Sequence, residues 1–117
     1  MRSRDITFHD YVLYDLLGDI PGIASRAMFS GWALYKDGVV FGIIAAGELH
    51  FKADETIYDE LARAGSRAFA YKRGDGKTVT MSYWSVPEEI MEDKDSFRMW
   101  TARAVEISQK SKKKKSR

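Results

Sequence analysis

Hydrophobic positions recur at helical spacing near the start of the chain, alternate with polar ones through its middle, and return to helical spacing toward its end. Phe8, Val12, Leu13, Leu16 and Leu17 fall on one helical face, and Thr7 with Asp10 three residues on resembles a capping box that uses Asp for the usual Glu. The pattern predicts a first helix over residues 8–17, stopped by Gly18 and the Pro21-Gly22 pair. Residues 26–35 and 39–44 are rich in aromatic and branched side chains and flank Lys36-Asp37-Gly38. That is the short-range signal of a β-hairpin, because Gly accepts positive φ without Cβ strain. After a turn at Ala45-Ala46-Gly47, the alternation of Glu48-Leu49-His50-Phe51-Lys52 predicts a third, half-buried strand. Asp54 reads as the N-cap of a helix over 55–64, with Ile57, Leu61 and Tyr58 facing inward and Gly65 closing it. Phe69 and Tyr71 begin a second hairpin, turned at residues 72–76 and returned by Val79, Met81 and Tyr83. Pro87 suits a first helical turn, Glu88 and Glu89 complement the macrodipole, and Met99, Trp100, Arg103, Ala104 and Ile107 extend a helical stripe. Residues 87–109 are therefore predicted helical, with a break near Asp93-Lys94-Asp95. The element order is α-β-β-β-α-β-β-α, an α+β chain with five strands.

The 117 residues suffice for one domain with its own core but not for two. A hydrophobic share of 44% and an aromatic share of 13% belong to a folded chain. No apolar run approaches the ~20 residues of a membrane span. The charged start, Met1-Arg2-Ser3-Arg4-Asp5, leads into an amphipathic helix instead of a signal peptide, so a cytoplasmic protein without membrane contact is expected. The absence of cysteine excludes disulfides, thiolate metal sites and thiol catalysis.

Charge changes the picture more. The net charge is +2, yet six of the 19 basic residues lie in the last eight positions, which leaves 13 basic against 17 acidic groups in residues 1–109. The body is mildly acidic, and the pI of about 8.8 does not describe a folded basic face. The folded domain is predicted to end at residue 109. Residues 110–117 read as a disordered, self-repelling lysine-rich tail. Its Lys110, Lys112, Lys113, Lys114, Lys115 and Arg117 are candidate nucleic-acid contacts of a weak, salt-sensitive kind, the alternative being a solubilising terminus.

Candidate chemistry is sparse. His9 and His50 show no metal-ligand spacing and read as ordinary surface or strand histidines. Ser25, Ser30, Ser66, Ser82 and Ser85 stand in no Gly-x-Ser-x-Gly elbow. Glu88, Glu89, Glu92, Asp93 and Asp95 form the densest acidic cluster and read as a solvated helix face. Gly74-Asp75-Gly76 is too short for a phosphate loop and precedes a strand. Trp32, Tyr35, Phe51, Tyr71, Tyr83 and Trp84 suit core and cross-strand packing better than a stacking platform, because no Lys/Arg row is interleaved with them. No catalytic, metal or cofactor-binding residue is predicted, and no cofactor.

The motifs Arg26-x-Met28-Phe29-x-Gly31, Tyr35-x-Asp37-Gly38, Phe41, Glu48-Leu49, Phe51-Lys52, Ala64-Gly65, Phe69-x-Tyr71, Ser82-Tyr83-Trp84-x-Val86-Pro87-Glu88-Glu89 and Trp100-x-x-x-Ala104 occur in that order. Together they resemble the N-terminal domain of the TfoX/Sxy family of competence regulators over about residues 8–107. Ser30 departs from a second Gly that the family often has after Met-Phe. The resemblance implies a two-layer α+β sandwich, a five-stranded, mainly antiparallel sheet with helices on one face, similar to the secretion-chaperone-like architecture. It implies that full-length relatives carry a helical C-terminal domain and act as transcriptional co-regulators of DNA-uptake genes with the cyclic-AMP receptor protein. This chain is expected to be a single-domain member.

The resemblance supplies no catalytic residues. Arg26 and Lys52, which this reading puts on adjacent strands, are the candidate partner surface. The expected function is a non-enzymatic regulatory or adaptor domain working by protein–protein contact, with the transcription machinery as partner by resemblance and a homodimer as a further expectation. Two other readings stand beside it: a nucleic-acid-binding module driven by the basic tail, and a small-ligand-binding domain or enzyme with a pocket between sheet and helices.

Overall fold

Six strands line up in one antiparallel sheet in the computed structural model of the chain, which describes residues 6–28 and 31–115. They are β1 (Ile23–Met28), β2 (Gly31–Lys36), β3 (Val39–Ala45), β4 (Glu48–Lys52), β5 (Ala68–Lys72) and β6 (Thr78–Ser85), in the spatial order β1-β2-β3-β4-β6-β5. The α+β class and the antiparallel sheet are as expected, with one strand more than the five counted from sequence. The apolar stretch over residues 26–35 doubles back on itself, so that Met28 lies opposite Gly31 and Arg26 opposite Ala33. Gly31 makes the close approach feasible, since a Cβ there would overlap the carbonyl oxygen of Ile44 on β3.

The first helix, α1 (Ile6–Asp10), continues as a π-helical segment (Tyr11–Leu16) that ends with the Leu17 N–H donating to the Val12 carbonyl at 3.0 Å. It starts before Thr7, so the expected capping box is not formed, and the Asp10 carboxylate engages His9 instead. Helix α2 (Tyr58–Arg63) is shorter than predicted. The Asp54 carboxylate accepts from the Thr56 N–H and hydroxyl, and its carbonyl accepts from the Ile57 N–H, so a turn precedes the helix.

Helices α3 (Glu88–Glu92) and α4 (Lys94–Lys115) meet at the predicted break. Asp93 is extended there (φ −107°, ψ 106°), and its Oδ1 accepts the backbone N–H groups of Asp95 and Ser96 at 3.2 and 3.3 Å, capping α4. Helix α4 runs on through Lys115, past the position at which a disordered tail was expected to begin. Lysine is a good helix former, and cations at a helix C-terminus complement the macrodipole. Arg117 lies outside the described residues.

All four helices contribute to a core on one face of the sheet. Trp32, Leu34, Ile44, Leu49 and Phe51 meet Val12 and Leu17 beside α1, Ile57 and Leu61 at α2, Ile90 on α3, and Phe97, Trp100 and Ala104 on α4. The register between β2 and β3 slips: Leu34 faces Gly42 while Tyr35 faces Val40, leaving Phe41 as the extra residue of a bulge. The bulge turns Phe41 into the core, fully buried, with its ring 5.8 Å from Phe51, which in turn lies 5.6 Å from Phe97. Each such side chain contributes roughly 1.5–3 kcal/mol by leaving water. The seam between α2 and α4 is closed by Arg103, whose guanidinium forks onto Glu60 at 2.9 and 3.1 Å and lies over the Trp100 ring at 4.5 Å. That fork holds the Glu60 carboxyl below the usual range.

Candidate functional site

The face of the sheet turned away from the helices carries both residues expected to form a partner surface. In register, Arg26, Ala33, Ile43, His50 and Ser85 make one row across β1, β2, β3, β4 and β6, and Lys52 stands opposite Tyr83 farther along. Arg26 and Lys52 thus share a face, but their strands are not adjacent. With β2 and β3 between them they sit roughly 14 Å apart across the sheet at ordinary strand spacing, which corrects the sequence reading. Arg26 is exposed, whereas Lys52 is half-buried with its ammonium 5.2 Å from the Tyr83 ring centroid. The aromatic set divides in the same way: Trp32 and Phe51 pack in the core, while Tyr83 lies on the opposite face and Tyr71 is exposed on the edge strand. No single stacking platform results among these residues.

Both histidines are buried, contrary to a surface reading. His50 is 3% exposed, its ring packed against Phe69 at 4.9 Å and its Nε2 3.7 Å from the Glu48 carboxylate, while its Nδ1 has no hydrogen-bond partner among the described residues. Burial is the main cause that pulls its pKa below the ordinary imidazole value; Glu48 opposes the shift and Arg67 adds to it. His9 lies against Trp32 with ring centroids 4.4 Å apart. Its Nδ1 is 2.9 Å from the Asp10 carboxylate and its Nε2 2.8 Å from the Ser25 hydroxyl. A carboxylate can only accept, so Nδ1 donates to Asp10, and in that tautomer Nε2 accepts a hydrogen bond from the Ser25 hydroxyl. The contacts have the order of a serine–histidine–aspartate relay, an arrangement that residue spacing did not suggest because β1 and α1 meet only in the fold. Ser25 and His9 line neither of the clefts described next, and the bonds have a sufficient role in satisfying a buried imidazole.

A concavity lies at one end of the sheet, where three connections converge. Ala46 and Gly47 both take positive φ (54° and 75°), making the tight β3–β4 turn that sets Glu48 and Leu49 at its exit. Gly65, at φ 96°, ends α2 and lets the chain turn back. Ser66 donates its hydroxyl to the Ser85 carbonyl, the Arg67 N–H donates to the Ser85 hydroxyl at 3.1 Å, and the Val86 N–H donates to the Leu49 carbonyl at 2.9 Å. These bonds hold the ends of β4 and β6 beside the start of α3.

The resulting cleft encloses about 400 Å³, with Phe8, Leu49, Val86, Pro87 and Met91 supplying apolar lining and Glu48, Arg67, Glu88 and Glu92 the charges. Arg67 forks its Nη2 across both Glu48 oxygens at 3.1 and 3.2 Å. Glu88 and Glu92 make no ion pair among the described residues. Through Phe8 and Tyr11 the cleft adjoins an open groove of about 720 Å³ along the first helix, lined also by Thr7, Asp10, Tyr14 and Asp15. Tyr11 and Tyr14 are exposed along it, by 38% and 65%. Sequence held a faint signal of this, since a helix that buries Val12 and Leu17 must turn Tyr11 and Tyr14 outward.

The lysine-rich end is remote from this arrangement in the chain. Lys110 is exposed, its ammonium 3.9 Å from the Glu106 carboxylate one helical turn back, and Lys112, Lys113, Lys114 and Lys115 continue the backbone of α4. Among the described residues no group of His, Cys, Asp and Glu could hold a metal ion, and no helix is long and apolar enough to cross a membrane.

A single antiparallel sheet with its helices on one face, bearing exposed aromatics beside a carboxylate-lined cleft, makes this an α+β domain. The chain belongs to the TfoX N-terminal domain family, whose model matches residues 15–108. No curated protein matches it. Membership supports a competence-related regulatory or adaptor role in general terms. The match takes in the Glu48, Arg67, Glu88 and Met91 side of the cleft, while Phe8, Tyr11 and Tyr14 precede it.

Proposed function

We propose that this domain is a non-enzymatic adaptor in the cytoplasm that acts by protein–protein contact, tied to transcriptional control of DNA-uptake genes. The observation that carries the reading is the exposed pair Tyr11 and Tyr14 along the groove that adjoins the end cleft. Tyrosine is enriched in interfaces because a rigid ring with a polar tip buries much area at little entropic cost, and clustered exposed apolar surface marks interaction sites. The test is a competence-gene reporter driven by the full chain and by a Tyr11→Asp/Tyr14→Asp variant, with folding checked by circular dichroism. Loss of activation in a folded variant is expected; undiminished activation would remove the reading.

A second reading draws on the continuation of α4 through Lys115, which strings lysines along a helix end as an electrostatic contact for nucleic acid. In a DNA titration of the full chain against one ending at Gln109, tail-driven binding disappears on truncation and collapses at near-physiological salt. Binding that survives both would locate nucleic-acid contact in the folded body.

A further inference from the structure

The end cleft has a charge pattern that selects among partners. We infer that it receives a cationic segment of a partner protein, anchored by an apolar side chain; this rests on the adaptor reading and names the chemistry of its partner. Among the described residues lining the cleft Arg67 is the one cation, and its guanidinium is already engaged by Glu48. Glu88 and Glu92 are the remaining charges of that lining; they stand four residues apart on α3, near Met91 on the same short helix. Asp10 and Asp15 extend the same sign along the adjoining groove.

Covering Glu88 and Glu92 with a neutral apolar surface would strip water from two carboxylates that have no ion-pair partner among the described residues, which is costly unless a cation replaces that water. A lysine or arginine segment supplies the cation, and complementary charge also speeds encounter. The apolar part of the lining is equally specific in its demand. A volume of about 400 Å³ with Phe8, Leu49 and Met91 around it accommodates an anchoring side chain, with thioether flexibility to adapt to its shape. The chain's own tail, Lys110-Ser111-Lys112-Lys113-Lys114-Lys115-Ser116-Arg117, has the charge but no apolar anchor and is the poorer occupant. A nucleic acid would be repelled, so this surface and the lysine-rich helix end select opposite partners.

The experiment is fluorescence anisotropy with a labelled short Lys/Leu peptide and its Glu/Leu counterpart against the full chain. The Lys/Leu peptide should bind and weaken with added salt, and the Glu/Leu peptide should not bind. Glu88→Lys/Glu92→Lys should weaken the Lys/Leu peptide by about tenfold or more, the scale set by loss of close charge pairs, and should admit the Glu/Leu peptide. Both residues are exposed, and Glu88→Gln/Glu92→Gln provides a milder variant with an intermediate loss should charge reversal at the start of α3 disturb folding. Removal of residues 110–117 should leave binding unchanged. The inference is overturned if the wild-type chain does not bind the Lys/Leu peptide, if it binds both peptides alike, or if the folded carboxylate variants bind as the wild type does. It is also overturned if an unlabelled peptide of residues 110–117 competes as well as the Lys/Leu peptide, or if light scattering shows that a second copy occupies the cleft. Because the adaptor reading stands on Tyr11 and Tyr14 in the reporter, it can survive the failure of this one.

Discussion

The two faces of the sheet are made by the same strands but obey different rules. On the helix-packed face Trp32, Leu34, Ile44, Leu49 and Phe51 join the helices in one continuous apolar core, with Phe41 added through a bulge. On the other face Ala33, Ile43 and Tyr83 are also buried, yet outside that core, and they share their rows with Arg26, His50 and Lys52. Phe69 covers His50 and Lys52 reaches over Tyr83, so side chains of the sheet itself provide shelter there. The difference teaches that burial is not one thing. The face sealed by helices admits an imidazole only with its nitrogens bonded, as His9 is to Asp10 and Ser25, whereas the one sheltered by its own side chains retains His50 with a nitrogen that has no partner among the described residues and leaves charge at its margins.

Truncation should break this symmetry of burial most strongly. Phe41→Ala is expected to cost about 3–5 kcal/mol in denaturant unfolding, because the bulge fixes the backbone and the cavity among Phe51, Leu34 and their helix partners cannot collapse. Ile43→Ala on the other face should cost less, about 2 kcal/mol. Equal losses would mean that the second face is a core in its own right.

Acid sharpens the comparison next. Burial depresses the folded pKa of His50, so the unfolded chain takes up the proton first, near pH 6.5. Its contribution is complete above that value and is lost as pH falls through the window down to the depressed folded pKa, at up to about 1.4 kcal/mol per pH unit for one proton. Unfolding curves at a series of pH values should show this slope, and His50→Gln should flatten it. A slope unchanged in His50→Gln would place the acid sensitivity elsewhere.

The smallest effect belongs to the exposed seam on the helix side. Arg103→Ala should destabilise less than either change above, mainly through lost packing on Trp100, and Glu60→Gln should change the melting temperature little. A double-mutant cycle measures the Arg103–Glu60 coupling directly, and a large coupling would show that the clamp is structural.

Much of the molecule was legible where a local rule suffices. The hairpin at Asp37-Gly38, the close of α2 at Gly65, the Pro87 start and the break at Asp93 each follow from the φ range or capping chemistry of a few neighbouring residues. The extra strand was hidden because the apolar run over residues 26–35 looks continuous, and only the pairing of Met28 with Gly31 and of Arg26 with Ala33 shows that the chain folds back within it. The candidate site was less legible. Arg26 and Lys52 were found on one face but far apart, while Glu88 and Glu92, read as a solvated helix face, border the cleft at the end of the sheet.

The sequence by itself determined the order of elements apart from the fold-back between β1 and β2, most of the turns, and the family, because period, turn residues and motif spacing act over a few positions at a time. Tertiary structure alone decided that both histidines are buried, that β1 and β5 are the sheet's edges, and that α1, the β3–β4 turn and the start of α3 surround one cleft. These depend on which distant segments pair and which face each strand presents, and that choice is made by the whole core at once.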